Sequence, residues 1–492
     1  MNCPYYNQNN ANIILDMNSS LQSRIKAIKH KLPSEDILVF EFNSLQGKKF
    51  AIIYADGIVD KTMIGELIVK PLRAARQEDG AEEVKLLLAS PEVKEEQKES
   101  QAVKAISDGN AALLVDGESK IFIIGVKSPP GRAVAEPPTQ ITIKGPREGF
   151  TEDIKVNLGL VRKRLKSEKL QIKTLTVGKQ SLTSVAICYL EGICPDKLAQ
   201  KVEQKILNNE IDIIPDSSYI AGFMSKRPRS LFRRNSTCEK PDIFCAKVCE
   251  GRVGIIVDGS PIALTVPYIL SEDFQSAEDY YAVSYRATIL RIIRVAAVLI
   301  GVILPAFYVC AQLFKIQLIP AKLLFKIASS VAGIPLSPSV EIFLTLFVLE
   351  VLNEASVRMP KYVGLALSVV GALVLGDTAV KAGIISTPAV IIIAFSAICL
   401  YTVPDMVETT TTLRFLFLIV AGSVGTFGIV LLTAYIICYL VTEQDYGVPL
   451  LAPFAPMISR DMADSLFKAN FAKLSTRPKA FGSPNKTRFK EK

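Results

Sequence analysis

The run Val295-Ala-Ala-Val-Leu-Ile-Gly-Val-Ile-Leu-Pro-Ala-Phe-Tyr-Val-Cys-Ala-Gln-Leu-Phe314 holds twenty residues without a formal charge, just after Arg286, Arg291 and Arg294. As a helix rising ~1.5 Å per residue it spans the ~30 Å hydrocarbon core of a bilayer. Further uncharged runs follow at 362–376, 382–404 and 415–442. The sequence thus predicts an α/β soluble N-terminal region of two related subdomains followed by an all-α multi-pass membrane domain. Any function must use both parts, which sets aside most soluble-enzyme classes.

Upstream of these runs the chain carries an internal repeat. Phe50-Ala-Ile-Ile-Tyr-Ala-Asp-Gly57-Ile-Val-Asp-Lys61 parallels Val185-Ala-Ile-Cys-Tyr-Leu-Glu-Gly192-Ile-Cys-Pro-Asp-Lys197. Each reads as an apolar strand, an acidic-Gly turn and a helix, at 61–72 and 196–207. Asp108-Gly-Asn-Ala-Ala-Leu-Leu-Val-Asp-Gly117 likewise parallels Glu250-Gly-Arg-Val-Gly-Ile-Ile-Val-Asp-Gly259, a strand ending in an Asp-Gly hairpin turn. A strand at 37–42 precedes the first pair and one at 170–176 the second. Order and spacing favour duplication over coincidence.

The resulting division is a disordered N-terminus at 1–29, a cytoplasmic α/β subdomain at 30–127, a Pro-rich linker at 128–139 and a second cytoplasmic α/β subdomain at 140–285. The multi-pass domain occupies 286–445. A cytoplasmic segment at 446–492 holds a Pro-rich stretch, an amphipathic helix at 458–471 and a basic tail. The acidic stretch 78–100 reads as a solvated excursion, and 226–234, with five basic residues, as an exposed loop. The linker composition predicts a stiff, extended chain.

With 492 residues the chain has room for about three domains of ~150 residues each. Its hydrophobic fraction of 49% against 21% charged fits a soluble–membrane hybrid. No signal-peptide pattern is visible near the start. From Arg460 to Lys492 nine Lys/Arg face three Asp/Glu, a local charge of +6. Basic flanks beside membrane segments stay cytoplasmic, so both ends are expected there, the tail being suited to anionic lipid. Nucleic-acid binding is disfavoured, because no stacking-aromatic pattern accompanies the charge. Of nine cysteines, Cys310, Cys399 and Cys438 sit in apolar runs, and Cys238, Cys245 and Cys249 lack the spacing of a zinc site. Reduced thiols, and neither metal nor cofactor, are expected. With one histidine, His30, and no phosphate-binding or nucleophile-elbow motif, no catalytic residues stand out and no enzyme is expected. The Gly-containing stretch Lys144–Phe150 reads as a structural turn.

Within the membrane domain, Glu341, Glu350 and Glu354 interrupt an apolar run. Ionisable groups at membrane depth are expensive and face a bundle interior, a partner charge or water. Glu354 and Arg358 are one turn apart and suit an interfacial pair, leaving Glu341 and Glu350 as the better functional candidates. Gly364, Ser368, Ala372 and Gly376 form a small-residue ladder, which favours close helix packing over the alternative of a pore lining. Asp377 and Lys381 follow one turn apart. The expected spans (295–314, 339–357, 362–380, 384–404 and 415–442) give five crossings. That conflicts with two cytoplasmic ends, so an incomplete or additional crossing near 316–357 is expected.

The chain resembles the A subunits of GerA-type spore germinant receptors. The likeness rests on Glu136-Pro-Pro, Gly145-Pro146-Arg147-Glu-Gly149-Phe150-Thr-Glu152 with Asn157 and Arg162-Lys-Arg164, Glu250-Gly-Arg-Val through Val257-Asp-Gly259, and Ser276-Ala-Glu-Asp-Tyr-Tyr281. It continues through Glu350 to Glu354-Ala, Pro360, Ser368-Val-Val-Gly-Ala-Leu-Val, Pro404, Arg414-Phe415 and Tyr446-Gly-Val-Pro449. Departures from the family pattern are Asn353, where an Arg is usual, Leu346, near which an acid is usual, and Asp377, where an amide is usual. The resemblance implies a spore inner-membrane complex with B and C subunits, in which B is similar to amino-acid transporters and binds the nutrient and C is a lipoprotein. It also implies that A subunits associate into a homo-oligomer with an ion-conducting path.

Overall fold

Two five-stranded antiparallel sheets share one topology. Strands β1 (Ile37–Asn43), β2 (Lys49–Ala55), β3 (Val93–Glu96), β4 (Ala111–Val115) and β5 (Ile121–Ile124) lie in the order β1-β2-β4-β5-β3. Strands β6 (Leu170–Val177), β7 (Thr183–Leu190), β8 (Ser236–Cys238), β9 (Val253–Val257) and β10 (Ala263–Val266) repeat it as β6-β7-β9-β10-β8. Even the left-handed turn glycines recur in pairs: Gly57 with Gly192, Gly109 with Gly251, Gly117 with Gly259. The expected duplication is thus present in the fold. The computed structural model describes residues 20–128, 137, 140, 142, 144–225, 230–360, 363–364, 371, 374–470, 472 and 474–489.

Central strands β4, β5, β9 and β10 are buried at every residue, because helices cover both faces of each sheet. On the first sheet, α1 (Leu21–Lys31) shares one face with a helix at Glu99–Ser107, opposite the segment 61–72 and α2 (Ala81–Leu87); we number the Glu99–Ser107 helix α3. On the second, α4 (Ile154–Arg164) and a helix at Pro241–Cys249 oppose α5 (Asp196–Leu207) and α6 (Ser217–Met224); the Pro241–Cys249 helix is α7.

Three expectations change here. The stretch 21–29 is helical, not disordered: Leu21, Ile25 and Ile28 recur at helical spacing and are buried against the first sheet. The acidic stretch 78–100 is no excursion. Its apolar Val84 and Leu88 point inward, and it supplies α2 and the sheet-edge strand β3. The basic loop is not wholly exposed either: Arg233 is half-buried and Arg234 fully buried, both ion-paired. Most of the linker 128–139 lies outside the described residues.

Downstream the chain is helical: α8 (Ser284–Leu313), α9 (Ala321–Val331), α10 (Pro338–Arg358), α11 (Thr387–Leu400), α12 (Val407–Val424) and α13 (Thr426–Thr442). Among the described residues two helices, Ser284–Leu313 and Pro404–Val424, are long and apolar enough to cross a membrane. The helices expose large apolar side chains such as Ile391, Ile398, Phe427 and Tyr435. Pro305 sits inside α8 and has no N–H to give Gly301 four residues back. The Ser396 hydroxyl of α11 donates to that Gly301 carbonyl instead, at 2.6 Å. Gly301 is required there, since a Cβ would lie 2.6 Å from Leu400.

The expected span 415–442 is not one helix. Gly425 takes φ +71° and breaks it into an α12–α13 hairpin. Both open ends of that hairpin reach the same loop: Thr409 Oγ1 donates to Leu231 O at 2.7 Å, and Tyr439 OH lies 2.9 Å from Ser230 Oγ. At its far end Gly425 packs on Phe314, and Gly422 on Ser339. The split turns the chain back, so that the end of α13 returns to the side of the two sheets.

After α13, β11 (Gln444–Asp445) and β12 (Val448–Pro449) pair, and Leu450 packs with Phe232, Tyr268 and Leu270. The expected amphipathic helix at 458–471 is replaced by a short 3-10 turn, Asp461–Asp464, whose polar groups are drawn into tertiary contacts described below.

Candidate functional site

The family motif of the soluble region folds as a joint. α4 begins at Asp153, whose carboxylate accepts from the Lys155 and Val156 amides. Asn157, fully buried, locks the preceding loop: its Oδ1 accepts from Thr151 N at 2.8 Å and its Nδ2 donates to Thr151 O at 2.6 Å. Phe150 packs edge-on against Phe244 of α7. Gly145 is left-handed (φ +116°) and lies under Tyr281, where a Cβ would meet the ring at 2.5 Å. Gly149 is buried, Pro146 is half-buried, and Arg147 and Glu152 are exposed. The Glu152 carbonyl accepts from Gly259 N at 2.8 Å. Glu148 pairs with Lys163 and Arg164, which hold its carboxyl below the usual range, Lys163 foremost.

Arg162 ties the two sheets together. It is fully buried and grips Asp36 with two donors, Nε to Oδ2 at 2.6 Å and Nη2 to Oδ1 at 2.7 Å. Ser34 Oγ accepts from Ile172 N at 2.9 Å, and Glu35 accepts from Thr174 N at 2.7 Å, so the 34–36 loop covers the β6 edge. The motif residues Arg162 and Asn157 are therefore positioning groups.

A second ionic knot joins the soluble region to α8 and the tail. Asp279, fully buried, accepts from Arg291 Nε at 3.0 Å and Arg294 Nη1 at 2.9 Å. Arg291 also donates to Asp464 Oδ1 at 3.2 Å and Ser465 O at 2.9 Å, while Lys468 donates to the Asp279 carbonyl. Burial raises Asp464 against the pull of Arg291. Nearby, Glu272 lies between Arg252 and Lys247, each at 2.7 Å. Its burial opposes ionisation, but the two cations outweigh that and hold it down at about 2. Asp273 goes the other way: burial lifts it to about 6 despite Arg233 at 2.7 Å. Arg233 reaches on to Asp405, in the α11–α12 loop, at 3.3 Å. A cavity of about 500 Å³ opens among Lys247, Arg252, Glu272, Asp273, Tyr280 and Arg488.

The basic tail docks on the second sheet. Arg477 Nε donates to Cys249 O at 2.8 Å, Ser483 Oγ to Ile193 O at 2.7 Å, and Arg488 pairs with Glu250 at 2.7 Å. Arg252 stacks 4.1 Å from the Phe481 ring. These four contacts commit a stretch that charge alone had marked for lipid.

Inside the helical bundle the acids have different fates. Arg414 of α12, 1% exposed, pairs with Glu350 of α10 and donates from Nη1 to Ser396 Oγ at 3.3 Å. Through Ser396 and Gly301 this chain links α10, α12, α11 and α8. Glu354 pairs with Arg358, and Asp377 with Lys381, both exposed and both one turn apart. Glu341 is fully buried; Ser386 N donates to its Oε1 at 2.5 Å. Of the ladder, Gly364 packs on α10, where a Cβ would lie 3.1 Å from Ser356 O; Gly376 meets nothing within 4 Å. Ser368 and Ala372 lie outside the described residues. Sequence reasoning gave no role to Asp36, Asp279, Asp464 or Arg414, whose charged partners lie 12 to 173 residues away in the chain.

A family model described as Bacillus/Clostridium GerA spore germination protein matches residues 23–480. The chain is 33% identical over 478 residues to spore germination protein KA of Bacillus subtilis (strain 168), covering 95% of this chain and 88% of that one. It is 33% identical over 455 residues to the uncharacterized membrane protein YfkQ of the same organism, covering 92% and 89%. The crystal structure of the N-terminal domain of the A subunit of the Bacillus megaterium spore germinant receptor GerK3 aligns with 51% of this chain and 98% of its own, at 25% identity and a TM-score of 0.40. The chain belongs to the GerA spore germination protein family.

Proposed function

We propose that this chain is the A subunit of a multi-pass germinant receptor in the spore inner membrane, where it couples nutrient sensing to ion release by forming a gated cation path with copies of itself. B and C subunits are its partners, membrane lipid surrounds α8 and α10–α13, and the two α/β modules and the tail lie on the cytoplasmic side. The observation that carries the reading is the buried Asp279 knot. It fixes α8 to the second module and to the tail at once. A shift in either must therefore move the long helix or break a buried ion pair, at a cost of about 3–5 kcal/mol. Glu341, Glu350, Glu354, Asp377 and the Gly364–Gly376 ladder are the groups we place near the path or at the contact between copies.

The test is reconstitution of the full complex in liposomes, with nutrient-triggered potassium release as the readout. Glu350→Ala should abolish or deregulate release, because Arg414 is left buried and unpaired, and Gly364→Leu should abolish it. Absence of flux from the complete complex, or flux untouched by both variants, would sink the channel reading. A second reading, a non-conducting scaffold that relays the signal through its duplicated module, draws on one observation: Glu350, Glu354 and Asp377 are each neutralised within the chain. Germination surviving both substitutions but lost on disrupting the 129–138 linker would favour it.

A further inference from the structure

Glu350 and Glu341 both sit on α10, yet only one has a countercharge. Glu350 has Arg414. Glu341 is completely buried, and among the described residues no Lys, Arg or His pairs with it. Its Oε1 is held by the Ser386 amide, at the start of α11, which favours a negative charge there. Its Oε2 is buried without any hydrogen-bond partner.

Two more polar groups share this fate, both from α8. Tyr308, 6% exposed, sits close enough to Ser386, Gln312 and Glu341 to interact with each, yet its hydroxyl closes no hydrogen bond. The Gln312 Nε2 is likewise buried and unpartnered. The surroundings are apolar: Val309, Ile342, Leu346, Ile385 and Ala389. Three unsatisfied polar groups from two helices, one of them an oxygen of the carboxylate that the start of α11 holds, are an unusual density in an interior where each such group is costly. An ionised carboxylate with no counterion costs more still.

We propose that Glu341, Tyr308, Gln312 and Ser386 form a binding site for one partly dehydrated monovalent cation such as sodium or potassium. Glu341 Oε2, the Tyr308 hydroxyl, the Ser386 hydroxyl and the Gln312 amide oxygen, after the end-over-end flip open to any amide, supply the oxygens. A single carboxylate matches a single charge, whereas sites for divalent ions gather several. The site lies at the end of the bundle remote from the soluble modules, one turn into α10. It deepens the conduction reading, placing an ion at a defined step along the helices. Its occupancy, however, does not depend on conduction.

The test uses the purified full-length chain in detergent, where no flux is needed. Thermal unfolding is compared in sodium, potassium and N-methyl-D-glucamine chloride at equal ionic strength. Sodium or potassium should raise the unfolding midpoint by about 3 °C or more over the organic cation, saturably. Glu341→Gln should abolish that difference while unfolding cooperatively in the organic cation. Tyr308→Phe, which keeps the ring, should raise the half-saturating concentration about tenfold. No ion-specific shift in the wild type, a shift kept in full by Glu341→Gln, or a response to pH but not to cation identity would overturn the site. Cation binding retained in a complex that releases no ions would count against the conduction reading alone.

Discussion

The two soluble modules have the same strand order, the same helix placement and the same left-handed turn glycines, yet they carry different loads. Among the described residues the first touches the second through the 34–36 loop against β6, Gly57 against α4 and Asp108 with Lys166. The second holds the first through Arg162, the start of α8 through Tyr281 and Gly145, the α11–α12 loop through Arg233, and the tail through Cys249, Glu250 and Ile193. Equivalent positions show the divergence. Arg162 on α4 corresponds to Lys29 on α1, which is only half-buried and, among the described residues, makes no interdomain pair. Duplication supplied the scaffold, and substitution at equivalent surface positions turned one copy into the coupling element.

That contrast can be broken most directly at Arg162. Arg162→Ala leaves Asp36 buried beside no cation and should destabilise the full-length protein by about 3–5 kcal/mol, whereas Lys29→Ala should stay within about 0.5 kcal/mol. Chemical denaturation followed by tryptophan-free near-UV signals or a thermal shift measures both, and equal losses would erase the asymmetry. Replacing the pair together, as Arg162→Met with Asp36→Leu, should recover most of the stability.

The paired glycines give the next largest effect. Gly57 and Gly192 both have φ near the left-handed region, +84° and +71°. At Gly57 a Cβ would also lie 2.9 Å from Lys155 O and 3.2 Å from Gly159 N, both backbone, while Gly192 meets nothing within 4 Å. Gly192→Ala should cost about 1–2 kcal/mol from conformation alone, and Gly57→Ala about 2–4 kcal/mol because α4 must also move. Similar midpoints for the two variants would mean that the interface between modules is looser than drawn.

The smallest effect is a pH dependence that Asp273 gives the second module. Asp273, lifted to about 6 by burial, keeps a proton that the unfolded chain releases near pH 4. Its contribution to stability is therefore complete below about pH 4 and lost as pH rises through about 6, on the order of 2 kcal/mol in all. Glu272, held at about 2, acts oppositely: its contribution is present above about pH 4.5 and lost only as pH falls toward 2. Melting curves between pH 5 and 7 should fall in the wild type and flatten in Asp273→Asn. An unchanged slope would remove Asp273 as the titrating group.

Much of this architecture was legible in residues that are close in sequence. The apolar strands ending at Gly57 and Gly192, the Asp-Gly hairpins, and the i,i+4 pairs Glu354–Arg358 and Asp377–Lys381 all rest on spacings of a few residues. The candidate site was legible only in part. Glu341 and Glu350 were marked as costly acids, but nothing near them in the chain says that Arg414, 64 residues on, serves Glu350 while Glu341 goes without. Gly425 looked like one more small residue in an apolar run; a glycine that packs and a glycine that turns read alike until its φ is known. The tail was assigned to lipid because its charge is visible and its docking partners are not.

The sequence by itself determined which half carries the sheets and which is a run of apolar helices, because each imposes a period and a length on its apolar residues. It also determined the duplication, which is a property of order and spacing. Only the tertiary structure decided which charges are paired, which carboxylate is left alone and which copy of the module carries the load. Those outcomes depend on side chains brought together from 12 to 126 residues apart, where no local spacing records the partner.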